Sequence, residues 1–169
     1  QREPWKRAVG LVGGGDGLGE VVGKVYVQRH FSPASKAAMD ELVANLRKGM
    51  RANIDKLDWM GADTKAEAYK KLDSFRPKIG YPDKWRDYSS ITIVPNDLMA
   101  NVLELRKYYA HDDNRRAGTK PDRDEWFMTP QMVNAYYNAQ FNEIVFPAGI
   151  LQAPFFDLNA DPAVNYGAI

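Results

Sequence analysis

Cysteine is absent from the 169 residues, which excludes disulfides, thiolate metal sites and a cysteine nucleophile. Histidine is nearly absent. Only His30 and His111 occur, far apart and neither within His-Glu-x-x-His, so both read as solvated or packing side chains rather than metal ligands. An excess of one charge is lacking too. The 23 Lys and Arg face 22 Asp and Glu, interspersed along the chain, so no field exists to hold a phosphate backbone, and nucleic acid is not an expected partner. No run approaches the roughly 18–20 apolar residues that cross a bilayer. Residues Gln1 to Arg7 are polar rather than a signal peptide, so any targeting segment is expected outside this sequence.

What is present suffices for a core: 44% of the residues are hydrophobic, enough for one ordinary domain or parts of two. The run Gly10 to Glu20 (GLVGGGDGLGE) reads as a flexible or tightly turned loop. No register of it gives G-x-G-x-x-G. Ahead of Gly23-Lys24, Leu18 stands where a P-loop needs its first glycine, and Val25 where it needs Ser or Thr, so nucleotide binding is not expected.

Periodicity predicts three helices. Ser32 and Pro33 start the first, near Ser35 to Leu57, with an apolar stripe of Met39, Leu42, Val43, Leu46, Met50, Ile54 and Leu57 ended by Gly61. The second, near Thr64 to Phe75, carries Ala66, Tyr69 and Leu72 and is capped by Asp63 or Thr64. Arg76 to Pro95 holds three prolines and is expected to be irregular. The third, near Asp97 to Asp112, is capped by Asn96 and carries Leu98, Met99, Val102, Leu103 and Tyr109 on one side. Met132 to Tyr137 and Glu143 to Phe146 predict a β-hairpin across Asn138 to Asn142. Asp161-Pro162 announces a last helix, within which the sequence is expected to be cut.

Clustered carboxylates, Asp112-Asp113 and Asp122 to Glu125, lie among Arg115, Arg116, Lys120 and Arg123. They read as a salt-bridged surface, and chemistry alone names no catalytic residue. Asn134, flanked by Val133 and Ala135, has two readings: a local cap or turn, or an amide able to pair with an extended peptide added to a strand edge.

Two blocks, Glu125-Trp-Phe-Met-Thr-Pro-Gln-Met-Val-Asn-Ala-Tyr-Tyr-Asn138 and Asn142-Glu-Ile-Val-Phe-Pro-Ala-Gly-Ile-Leu-Gln152, resemble the neprilysin and endothelin-converting enzyme family of zinc metallopeptidases. Val25-Tyr26-Val27, Phe31-Ser32-Pro33, Leu57-Asp58-Trp59-Met60, Thr64-Lys65 and Ile79-Gly80-Tyr81-Pro82-Asp83 extend that resemblance over nearly the whole chain. Asn165-Tyr-Gly-Ala-Ile169 is similar to the start of the family's zinc-binding helix, so the sequence is expected to stop just short of His-Glu-x-x-His. Departures are Asp122 directly after Pro121, Ala153 in place of a proline, and a glycine-richer Gly13 to Gly19.

The resemblance implies a zinc metalloendopeptidase of short peptides as the intact protein, with no zinc ligand and no catalytic residue in this chain. It assigns Asn134 and Ala135 to the backbone of a bound peptide, and Ile150 and Phe155 to the apolar pocket for the side chain after the scissile bond. The expected fold is mainly α with a small β-hairpin, α+β, as part of a larger two-domain helical enzyme. Residues 1–95 would belong to the helical region over the active-site cavity, and 96–169 would begin the catalytic domain. The implied partners are peptide substrates and the remaining C-terminal catalytic portion, and Val145 to Phe156 is expected to expose an apolar patch awaiting it. Zero cysteines fit an exported bacterial member, hence an extracytoplasmic place. The alternative is a non-catalytic helical module that binds peptides or proteins.

Overall fold

The computed structural model describes residues 2–169. Six helices carry one small sheet: α1 (Pro4–Gly13), α2 (Gly19–His30), α3 (Pro33–Lys56), α4 (Ala62–Asp73), β1 (Arg76–Gly80), α5 (Leu98–Arg116), β2 (Tyr136–Asn138), β3 (Glu143–Pro147) and α6 (Pro162–Ala168). The α+β expectation holds, mainly helical with a hairpin.

Local chemistry sets the ends of α3. Ser32 Oγ accepts from Ser35 N at 3.0 Å, and Pro33 occupies the first helical position. Met39, Leu42, Val43 and Ile54 are its buried face. Met39, Leu42 and Val43 join Val27, Phe31, Ile79, Ala148, Leu151 and Phe156 in one core between α2, α3 and the sheet. Arg47 of α3 donates to the Leu72 carbonyl at 3.1 Å, tying α3 to the last turn of α4.

The hairpin has a third strand. Sheet order is β1-β3-β2, with β1 parallel and β2 antiparallel to β3. Arg76 to Gly80, expected to be irregular because of its prolines, is therefore a strand. Pro77 is tolerated because β1 is an edge and pairs on one side only. Gly80 closes β1 at φ +83, and its missing Cβ leaves room for Phe31, whose ring carbon Cε1 would lie 2.5 Å away.

Other differences are equally physical. Of the run Gly10 to Glu20, expected to be a loop, only residues 14–18 form a turn; Gly10 to Gly13 end α1 and Gly19 and Glu20 begin α2, two helices that its composition concealed. Met132 to Ala135 lies outside β2. Helix α5 runs on to Arg116, supported by bonds from Arg115 and Arg116 back to Asp112 and Asp113. Its cap is Asp97, which accepts from Ala100 N at 2.9 Å, while Asn96 takes φ 64 just before it. Gly61 caps the start of α4 rather than ending α3, which ends at Leu57. The expected apolar patch is mostly interior: Val145, Ala148, Leu151 and Phe156 are buried in this chain's own core.

Candidate functional site

One face of the sheet is polar because alternate residues of each strand point the same way. Arg76 and Lys78 of β1, Glu143 of β3 and Tyr136 of β2 share it, as the pairings Arg76 with Glu143 and Tyr136 with Val145 require. These side chains grip an approaching segment. Arg76 donates to the Arg123 carbonyl at 2.8 Å, Lys78 to the Glu125 carbonyl at 2.9 Å, and Tyr136 Oη accepts from Phe127 N at 3.1 Å. Residues 123–127 are thereby laid across the sheet.

Beneath them sits a buried ion pair. Lys78 Nζ lies 2.9 Å from Glu143 Oε1, with the Glu143 side chain 0% exposed. Glu143 Oε2 is buried and has no hydrogen-bond partner among the described residues. Burial raises the Tyr136 phenol above its ordinary value, outweighing the opposing bond from Phe127.

The chain next turns through Thr129 to Met132, with Met132 N donating to Thr129 O at 3.0 Å. Gly149, just past β3, packs against that turn. Its N donates to Pro130 O at 2.7 Å, and a Cβ on it would meet Gln131 O at 2.6 Å and Met132 O at 2.7 Å. The two sequence blocks thus meet backbone to backbone.

Asn134 follows on the surface. Its Oδ1 accepts from Ala135 N at 2.8 Å, and its Nδ2 has no partner among the described residues. The Oδ1 bond is local, as a turn residue makes, and the amide nitrogen faces outward. Ala135 is half-buried and leads into β2, whose outer edge pairs with no other strand among the described residues. Ile150 directly follows Gly149 and packs partly against the core. Phe155 lies beyond the second block. It is 39% exposed, and its N donates to Gln152 O at 2.9 Å.

Beside the gripped segment lies a cavity of about 970 Å³ lined by Trp85, Arg86, Tyr108, Asp112, Arg116 and Glu125, among others. Arg86, Arg116, Glu20, Asp112 and Glu125 are paired in it, the salt-bridged arrangement expected around Asp112 and Glu125. Arg86 reaches Asp112 at 2.9 Å and Glu20 at 3.6 Å, and Arg116 reaches Glu125 at 2.7 Å. Burial works to raise the Asp112 carboxyl, yet the bond from Arg115 and the charges of Arg86 and Arg116 hold it below the usual carboxylate value. His111 lines this cavity and His30 stands beside Tyr26, with ring centroids 5.2 Å apart.

Among the described residues no three His, Asp or Glu side chains converge in a way that would hold a metal ion. These residues do not fit a zinc ion.

The fold is that of part of a metallopeptidase. It superposes on the crystal structure of Mycobacterium tuberculosis zinc metalloprotease Zmp1 with TM-score 0.83 and 53% identity, covering 99% of this chain and 25% of that one. On PepO of Lactobacillus rhamnosis the TM-score is 0.81 at 31% identity, covering 88% and 24%. Two family models, both described as peptidase family M13, match residues 1–82 and 134–169. The chain belongs to peptidase family M13, the family of neprilysin and the endothelin-converting enzymes. Human neprilysin is 33% identical over 173 residues, 98% of this chain and 23% of neprilysin. The chain thus spans about a quarter of the length of these relatives.

Sequence reasoning missed Gln131, Lys78 and Glu143. The signal for the pair was faint: a lysine and a glutamate each at an alternating position beside apolar neighbours in Lys78-Ile79 and Glu143-Ile144-Val145.

Proposed function

We propose that this chain is the substrate-wall portion of a zinc-dependent metalloendopeptidase that hydrolyses short peptides. Residues 1–95 then cover the active-site cavity, and 96–169 begin the catalytic domain. The zinc and its ligands belong to the remaining catalytic portion, this chain's natural partner, where the metal supplies electrophilic activation of the peptide bond. An extracytoplasmic place accords with a cysteine-free exported enzyme.

The chain's own residues bind and orient. An extended peptide adds to the outer edge of β2, its backbone exchanging hydrogen bonds with Ala135 and with the Asn134 side chain. Ile150 and Phe155 line the pocket for the side chain after the cleaved bond. The observation that carries this reading is Asn134 itself, exposed at the approach to an unpaired strand edge with an unused amide donor.

Replacing Asn134 by Ala in the full-length enzyme tests it. Losing one bond to a peptide backbone in a dry cleft costs about 1–3 kcal/mol, so kcat/KM falls roughly 5- to 150-fold while the melting temperature hardly moves. An unaltered kcat/KM in the folded variant would make Asn134 a purely structural turn residue.

A further inference from the structure

The glycine-rich run that carries no nucleotide chemistry has another use. Its turn is closed by Gly17 N to Gly14 O at 3.0 Å and Leu18 N to Val12 O at 2.8 Å, and Tyr109 Oη donates to Gly17 O at 2.7 Å. Two of its carbonyls point outward to one side chain. Gln131 Nε2 donates to Gly13 O at 2.8 Å and to Gly19 O at 3.1 Å. Two acceptors facing one amide group fix which end of it is nitrogen. The other end, Oε1, is buried beside Gly23 with no partner among the described residues.

Glycine is required where these surfaces touch. A Cβ on Gly19 would lie 2.6 Å from Thr129 Cγ2, and one on Gly23 would lie 2.6 Å from Pro130 Cδ. Gly149 approaches from elsewhere, against the backbone of Gln131 and Met132. The Thr129 to Met132 turn is therefore seated among four close glycine contacts, with Gln131 as its bolt into the loop between α1 and α2.

Downstream the chain has little else to hold it. Met132 is 40% exposed and Val133 63% exposed, so the path to Asn134 is fixed by Gln131 at one end and by β2 pairing from Tyr136 at the other. We propose that Gln131 is a positioning residue: its forked bond to Gly13 and Gly19 sets the backbone that presents Asn134 and Ala135 to the substrate. The inference rests on the proposed substrate role of that pair. It gives the N-terminal glycine loop a part in peptide affinity though nothing in the loop touches the peptide.

Two readouts test it, one free of catalysis. In this chain, Gln131→Ala should speed amide hydrogen exchange in the peptide spanning Met132 to Tyr137 about tenfold, the effect of roughly 1.4 kcal/mol of lost bonding. In the full-length enzyme the same change should raise KM for a short peptide several-fold with kcat nearly held, because uniform substrate binding is what is lost. Gln131→Glu puts a carboxylate against two carbonyls, so protection and KM should both worsen at neutral pH and recover as the pH is lowered and the carboxyl becomes a donor. Should Gln131→Ala not fold, the pH-dependent recovery of Gln131→Glu carries the test.

Unchanged exchange in the folded variants overturns the latch itself. Faster exchange with an unchanged KM overturns the functional claim and points to failure of the Asn134 reading, which Asn134→Ala checks separately. A fall in kcat at constant KM, or no recovery of Gln131→Glu at low pH, also overturns the proposal.

Discussion

Breaking the buried pair between Lys78 and Glu143 should destabilise the chain far more than removing it whole. Lys78 is 5% and Glu143 0% exposed at the side chain, with 2.9 Å between Nζ and Oε1. Lys78→Met strands a carboxylate whose Oε2 already lacks a partner, and an uncompensated buried charge costs about 3–5 kcal/mol. It also frees the Glu125 carbonyl that Lys78 holds at 2.9 Å, adding about 1 kcal/mol. Glu143→Gln leaves the ammonium instead, with a weaker acceptor, and belongs at the lower end of that range. The double change Lys78→Met with Glu143→Leu removes both charges, leaving about 1 kcal/mol for the lost tether to Glu125. The double change should therefore cost far less than either single change. Urea unfolding followed by circular dichroism reads it. With a slope of about 1–3 kcal/mol per molar, Lys78→Met should lower the midpoint by about 2 M and the double variant by well under 1 M. Single variants costing below about 1 kcal/mol, with an additive double, would mean that water reaches the pair and the burial argument fails.

Gly149→Ala pushes a Cβ into backbone atoms 2.6–2.7 Å away and should cost about 1–3 kcal/mol, read as a lower melting temperature; no change would mean the Gln131–Met132 peptide yields freely. On the proposed pocket, Phe155→Ala in the full-length enzyme should shift preference toward bulkier residues after the cleaved bond by about 1–3 kcal/mol. An unaltered cleavage profile across a peptide library would remove Phe155 from the site. Asp112 is held below its ordinary value of 3.8 despite burial, through Arg115, Arg86 and Arg116. Its stabilisation is complete above that value and is lost as the pH falls through the depressed one. Asp112→Asn should therefore lower stability near pH 7 and flatten the acid limb below pH 3.8; parallel acid limbs in the two proteins would contradict the ion-pair account.

Hydrophobic periodicity made α3, α4, α5 and the hairpin legible, because each rests on local spacing, and the caps Ser32 and Asp161 marked the starts of α3 and α6. It overstated what α5 buries. Leu98 is 64% and Met99 68% exposed, leaving Leu105 as the buried residue of the helix. Strand β1 was hidden because Pro77 lies within it and Pro82 just beyond it, and because its partner β3 begins 63 positions after β1 ends, at Glu143, a parallel pairing that no local pattern announces. Helices α1 and α2 were hidden by glycines that serve close packing rather than flexibility.

The proposed substrate wall was legible only through resemblance, and the physical reason lies in how its segment is held. Of residues 123–135 only Thr129 and Pro130 are buried, so hydrophobic burial contributes little to fixing them. Polar tethers from distant parts of the chain do it instead: Arg76, Lys78 and Tyr136 across the sheet face, and Gln131 into the glycine loop 112 and 118 positions away. Each such bond adds about 1 kcal/mol net. Their sum is large enough to exclude alternative paths of an exposed backbone. A binding edge needs that division of labour, since apolar residues that would hold the segment by burial would also cover the edge it presents. The consequence for sequence reading is that isolated polar residues at the ends of an exposed run, here Gln131 and Tyr136, carry the positional information, while the apolar residues between them, Met132 and Val133, do not.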